Sequence, residues 1–308
     1  MEREVETASG LTRSFFLKGL GAFVATPVFG CKTPGSSPVA RFGIVTDCHY
    51  ADIPMAKRAW PVGDAYYRES AAKLAECTAV MNRERPDFLI ELGDFKDLGP
   101  DKAATVSYLD KIEGVFSGFD GDRYHVLGNH DFDALDKAEF LSHVSNAGQP
   151  KALAHYSFVR GGVKFVVLDA CFNSAMEDYR PGNWSWNNAN VPPAQLEWLE
   201  RELASAKGQA VVFCHQCLDP AADKNHRVRN DAQVRAVIER SGKVRAVFTG
   251  HQHSGRVGES NGITYYSLRA TVLDSGMEEN GYALVEVYAS GAVTVTGYRK
   301  AVSCDMRA

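Results

Sequence analysis

Five short apolar runs in this chain each end on an acid, an amide or an imidazole, and that arrangement restricts the fold more than any other feature. Phe42–Thr46 runs into Asp47-Cys-His49, and Asp87–Leu92 into Gly93-Asp94. Arg123–Leu127 runs into Gly128-Asn129-His130-Asp131, Ala210–Cys214 into His215, and Val244–Thr249 into Gly250-His251-Gln-His253. Short, β-rich runs closed by polar turns read as strands. Between them lie stretches of helical periodicity. One spans 66–84, with Ala71, Leu74, Ala75, Thr78, Val80 and Met81 as its periodic positions, and stops before Pro86. The others are 101–115, 194–207 behind Pro192-Pro193, and 230–240 closed by Gly242. Tyr156–Arg160 and Val163–Asp169 flank Gly161-Gly162, a hairpin signal. After residue 253 the pattern is all strand: 256–259, 263–268, 281–288 and 292–298. Strand–helix alternation followed by a run of strands predicts an α/β fold with mixed sheets, and such folds gather functional groups where strands end.

The 308 residues suffice for one large domain, and with no internal repeat a single domain over 39–308 is the economical reading. Lys and Arg number 34 against 38 Asp and Glu, and a net charge of −4 argues against a dedicated nucleic-acid surface. An apolar share of 45% with 23% charged residues excludes wholesale disorder. No uninterrupted apolar run of about 18 residues occurs, which excludes a polytopic membrane protein.

Residues 1–31 read as an export segment, with Arg13 and Lys18 ahead of and within a short apolar stretch that ends at Cys31. Arg13, Phe16, Leu17 and Lys18 resemble the twin-arginine motif, with Ser14 in the place of its second arginine, and Val28-Phe29-Gly30-Cys31 resembles a lipoprotein cleavage box. Residues 32–38 form a flexible linker by composition. The expectation is an exported, periplasmic or cell-envelope protein with a lipid anchor on Cys31. The other six cysteines have no framework spacing; Cys48 and Cys214 read as small buried residues, and Cys214-His-Gln-Cys217 lacks the second pair of a zinc finger.

In an extended Asp-x-His or His-x-His triplet the outer residues point to the same side, so each triplet can offer two ligands to one place. Glycine before Asp94, Asn129 and His251 permits the tight turn such a site needs. With His130 left over, Asp47, Asp94, Asn129, His49, His215, His251 and His253 are nitrogen and oxygen donors suited to Mn, Fe or Zn, and they exceed what one ion requires. A carboxylate shared between two ions about 3.5–4 Å apart is the arrangement that clamps a phosphoryl group. Asp94 stands alone after its strand and is the natural bridge. By contrast, His143 and His226 are assigned no role, and His125 and His155 read as structural.

The ordered set Asp-x-His, Gly-Asp, Gly-Asn-His-Asp, His and Gly-His-x-His, spread over residues 47–253, resembles the calcineurin-like metallophosphoesterase superfamily. The resemblance implies a four-layer αββα sandwich of mixed sheets. It also implies two divalent metal ions: Asp47, His49 and His253 on the first, Asn129, His215 and His251 on the second, with Asp94 between them. His130 is then the acid facing the leaving group, with Asp131 orienting its imidazole. The activity implied is hydrolysis of a small-molecule phosphodiester or nucleotide diphosphate by a metal-bridging hydroxide. A phosphomonoesterase using the same site, or a metal-binding lipoprotein without turnover, are the alternatives. A narrower likeness links Thr46–Asp52, Tyr66–Ser70 and Gly250–His253 through Ser267–Ala270 to manganese-dependent ADP-ribose/CDP-alcohol diphosphatases. Those proteins often carry Gln where this chain has His49, which returns its first metal site to the commoner superfamily pattern.

Two irregular segments are candidates for specificity. Residues 50–67 contain Trp60, Tyr66 and Tyr67 near Lys57 and Arg58, and residues 171–193 contain Tyr179, Arg180, Trp184 and Trp186. Aromatic rings beside arginine can stack a base and hold a phosphate. The competing reading is a loop packed down by its own aromatic side chains.

Overall fold

A computed structural model describes residues 37–55 and 62–306, all within one compact unit. The predicted export segment with Cys31, most of the predicted linker, and Lys57, Arg58 and Trp60 lie outside the described residues. In chain order the elements are β1 (Ala40–Val45), α1 (Ser70–Glu84), β2 (Phe88–Glu91), α2 (Lys102–Phe116), β3 (Asp122–His125), α3 (Lys137–His143), β4 (Tyr156–Arg160), β5 (Val163–Val167), α4 (Pro193–Ser205), β6 (Ala210–Phe213), α5 (Asp231–Ser241), β7 (Val244–Thr249), β8 (Arg256–Ser260), β9 (Ile263–Ser267), β10 (Gly281–Val287), β11 (Val293–Arg299) and β12 (Cys304–Met306).

Local chemistry sets the ends of these helices. The Asp101 carboxylate accepts the Ala104 amide at 2.8 Å and starts α2. Asp136 and Glu139 close a reciprocal capping box on α3. Arg85 at φ 53° and Gly242 at φ 64° end α1 and α5 in the left-handed region. The stretch from 66 is not one helix: Tyr67–Glu69 form a separate 3-10 turn before α1. Both α3 and β12 lie where the sequence pattern predicted no element. At seven and three residues they are too short for periodicity to register.

Two six-stranded mixed sheets form the body, ordered β12-β11-β10-β1-β2-β3 and β4-β5-β6-β7-β9-β8. Within the first, β1, β2 and β3 run parallel, as do β5, β6, β7 and β9 in the second. Alternate residues of each central strand face opposite layers. Phe42, Phe88, Phe165, Phe213 and Phe248 belong to one buried cluster between the sheets, where the Phe42 and Phe88 rings stack with centroids 5.1 Å apart. The opposite faces meet the helices: Leu89 packs with Leu74, Leu109 and Phe140, and Val212 and Val247 with Leu199, Leu203 and Ile238. Strands buried on both faces explain the near-continuous apolar runs of the sequence, and the layering is αββα. Among the described residues no helix is long and apolar enough to cross a membrane.

Candidate metal centre

The C-terminal ends of β1, β2 and β3 in one sheet and of β6 and β7 in the other lead into the loops that carry the predicted ligands. The sequence argument expected Asp47 and His49, and His251 and His253, to share a side by strand alternation. The mechanism is different: β1 stops at Val45, and Asp47, His49, Asp94 and His251 have φ of 50°, 43°, 56° and 63°. Left-handed backbone at four non-glycine positions is costly, and functional sites are where such strain collects. The loops hold one another in place: the Asp47 amide donates to the Gly93 carbonyl at 3.0 Å, His49 to Asp94 at 2.9 Å and Gly250 to His215 at 3.0 Å. Gly128 and Gly250 are required by close approach. A Cβ on the former would lie 2.0 Å from the Asp94 amide nitrogen, and one on the latter 2.1 Å from the Thr46 hydroxyl.

Two donor sets result. Single donor atoms of Asp47, His49 and His253 lie within 4.8 Å of one another, as do those of Asp94, His215 and His251. Asp47 Oδ1 is 3.2 Å from His253 Nε2 and 3.7 Å from His49 Nε2. Asp94 joins the sets through one atom. Its Oδ1 accepts the His130 amide at 2.7 Å, leaving Oδ2 at 3.5 Å from His49 Nε2 and 3.2 Å from His215 Nε2. His215 Nδ1 donates to the Leu92 carbonyl at 2.7 Å, which leaves Nε2 as the atom that would give its lone pair to a metal ion.

These residues fit divalent cations. Nε2 of His251 and Nδ2 of Asn129 are buried without a hydrogen-bond partner among the described residues, a state that is costly unless a ligand completes it. A half-turn of the Asn129 amide brings its carbonyl oxygen to the orphaned position, giving up a 3.4 Å contact with Gln216. The electrostatics agree. Burial opposes charge on His49, yet Asp47 and Asp97 beside it raise it to about 10; for His215 burial is likewise outweighed, chiefly by Asp94, which raises it to about 9. Burial also opposes ionisation of Asp94, but His215 and His130 hold it well below the carboxylate range. His251 is pushed well down by burial and by His215. Protons on His49 and His215 thus balance buried carboxylates, a balance that divalent cations would supply instead.

His130 follows Asn129 at the head of a 3-10 turn, with its ring centroid 4.7 Å from that of His49 and 4.9 Å from that of Trp184. Asp131 does not take the orienting position expected of it. Its two oxygens accept the backbone amides of Phe95 at 3.0 Å and Gly128 at 2.8 Å, so the carboxylate braces the loops. The acid beside the ring is Asp97, whose Oδ1 is 3.8 Å from His130 Nδ1 and whose Oδ2 is 3.3 Å from His49 Nδ1. Asp97 was missed by the sequence reading; its only signal was an acid three residues after Asp94.

The candidate specificity residues separate. Tyr67, only 1% exposed, packs with Ala65, Ala270 and Leu273 and is a core residue. Tyr66 is half-buried, its amide donating to the Val272 carbonyl at 2.8 Å, and no ring contact ties it to the donor cluster. Arg180 is exposed at a turn where its amide donates to Asn183. The Tyr179 hydroxyl donates to the Ser185 carbonyl at 2.7 Å and ties the loop down. Trp184 packs both on the helix-side core and beside His130. Trp186 is 46% exposed, and its ring centroid lies 6.4 Å from that of His251. His226, assigned no role from sequence, joins it, 5.8 Å from Trp186 and 5.4 Å from His251. As expected, His125 and His155 lie apart from the ligands, the first paired with Glu91 and Glu113 and the second against Trp198.

The profile of the Calcineurin-like phosphoesterase family matches residues 40–255. Among curated proteins, the manganese-dependent ADP-ribose/CDP-alcohol diphosphatase of Oryza sativa subsp. japonica is 28% identical over 288 residues, covering 82% of this chain and 89% of the relative. The protein of the same name from Danio rerio is 26% identical over 301 residues, covering 82% and 93%. Among solved structures, a dimetal phosphatase from Danio rerio superposes with a TM-score of 0.76 at 22% identity, covering 88% of this chain and 99% of its own. With the family profile spanning both donor sets and every strand that carries them, this chain belongs to the calcineurin-like phosphoesterase family and is a metal-dependent phosphoester hydrolase.

Proposed function

We propose that this hydrolase cleaves a phosphodiester or the diphosphate bond of a nucleotide conjugate. The observation that carries the reading is Asp94 Oδ2, set between an imidazole of each donor set. Asp47, His49 and His253 would hold one ion, Asn129, His215 and His251 the other, and Asp94 both. When bound, two divalent ions (Mn, Fe or Zn) supply positive charge to the phosphoryl oxygens and lower the pKa of water. His130, with Nδ1 turned to Asp97, keeps Nε2 for the leaving group and gives its proton to the departing oxygen as the P–O bond breaks. Trp184 beside His130 would wall the leaving-group side, and Trp186 with His226 would lie beside His251 of the second donor set. Two tryptophans of one loop beside the donor sets suit a substrate with a planar group. The relatives named as ADP-ribose/CDP-alcohol diphosphatases support that class.

The test is turnover by the Mn²⁺-reconstituted chain on ADP-ribose, CDP-choline, bis-(p-nitrophenyl) phosphate and p-nitrophenyl phosphate. The two nucleotide diphosphates or the diester should be preferred, and Trp186→Ala should raise the KM for ADP-ribose by roughly tenfold, the worth of one stacking contact. Preference for the monoester would refute the reading in favour of a phosphatase. For residues 1–31 the proposal is export and lipidation at Cys31; labelled palmitate should enter the chain in cells and fail to enter Cys31→Ala, and equal labelling would refute it.

A further inference from the structure

One buried charge near the site is used by neither donor set. Lys96 is fully buried, which is rare for lysine unless its ammonium is paired. Its Nζ donates to the His130 carbonyl at 2.6 Å and makes a short ion pair with Asp133, whose own side chain is 2% exposed. The His130 amide, on the other side of the same residue, donates to Asp94 Oδ1 at 2.7 Å. Both polar groups of the His130 backbone are therefore fastened to the segment 94–97, and Asp97 at the end of that segment faces the His130 ring. Rings of His49 and Trp184 flank the imidazole, 4.7 and 4.9 Å away. The ring is confined from the sides, while its root is set by Lys96 and Asp94.

We infer that Lys96 is a positioning residue for His130: anchored on Asp133, its ammonium fixes the His130 carbonyl and so aims the imidazole at the leaving oxygen. The inference rests on the reading of His130 as the leaving-group acid. Lys96 itself donates no proton to substrate. Water oxygen bonds to phosphorus as the P–O bond to the leaving group breaks, and the His130 proton goes to the released oxygen, which departs as a neutral alcohol or phenol from a diester and as a protonated phosphate from a diphosphate.

A leaving-group series on the Mn²⁺-loaded full chain separates this role from general support of the fold. The probes are methyl aryl phosphodiesters with dinitrophenyl, nitrophenyl and phenyl leaving groups. Lys96→Met should keep both metals and its KM values, yet lose about tenfold or more in kcat with phenyl and only about twofold with dinitrophenyl, which needs little acid assistance. In a His130→Ala background the same substitution should cost nothing further. Because an unpaired buried Asp133 could unfold Lys96→Met, the double variant Lys96→Met/Asp133→Asn removes both charges and is expected to show the same selectivity. A loss equal for all three leaving groups, or one that persists undiminished in His130→Ala, would overturn the assignment. Failure of the underlying reading is seen separately: His130→Ala alone would then slow all three substrates alike.

Discussion

The carboxylate of Asp97 lies between two imidazoles, 3.3 Å from Nδ1 of His49 and 3.8 Å from Nδ1 of His130. A carboxylate on the outer nitrogen of a metal-binding histidine fixes its tautomer and strengthens it as a donor. One acid thus faces both His49 of the first donor set and His130, the proposed proton donor. Asp97→Asn keeps the shape and removes the charge. It should weaken Mn²⁺ binding about 10–100-fold and lower kcat in the same variant, measured by metal titration and steady-state kinetics. Unchanged metal affinity would show that Asp97 serves His130 alone. The residue types of the site were legible in the sequence, because imidazoles and acids after successive strands have few metal-free explanations. The partnerships were not: Asp131 sits next to His130 in the chain, but the 3-10 turn carries its carboxylate to the amides of Phe95 and Gly128.

Among the elements, strand interiors were the easiest to read. Residues 244–249 match β7 throughout, and the other predicted strands end within about two residues of those observed; for the central strands, burial on both faces makes each run apolar up to its polar loop. The loops were readable in composition and not in conformation. Their geometry depends on positive φ at Asp47, His49, Asp94 and His251, residue types that give no such signal as glycine does. Glycine marks instead where chains nearly touch. Gly128→Ala would put a methyl group 2.0 Å from the Asp94 amide, and the two loops must part. The expected cost is about 1–3 kcal/mol in urea unfolding together with weakened binding of both ions. Gly114→Ala is the contrast: exposed on α2, with no atom from outside its own helix backbone within 4 Å of the added Cβ, it should stabilise by about 0.5–1 kcal/mol. Similar destabilisation by both would mean that glycine loss in general, and not loop contact, is what matters.

At the scale of the whole molecule, His125 ties β3 to the neighbouring strand β2 and to α2. Its Nδ1 is 3.4 Å from Glu91, its Nε2 is 3.2 Å from Glu113, and its ring meets those of Phe95 and Phe116 edge-on. Burial works against its charge, but Glu113 and Glu91 raise it from 6.5 to about 9. A pKa higher in the folded state means that the stabilisation is complete below the unfolded value of 6.5 and is lost as pH rises through about 9. His125→Gln should therefore cost about 3–5 kcal/mol near pH 6, and the gap from the parent chain should narrow towards about pH 10. A gap in urea midpoints that does not change with pH would assign His125 a packing role alone.

The two sheets bring loops from both together around Asp94, which would be shared by a pair of ions. The most direct test is metal stoichiometry and electron paramagnetic resonance of the Mn²⁺-reconstituted chain, compared with Asp94→Asn. The account predicts two Mn²⁺ per chain with an exchange-coupled spectrum, and in Asp94→Asn loss of the coupling with at least one ion released. A single ion in the parent chain, or an unchanged coupled pair in Asp94→Asn, would contradict it.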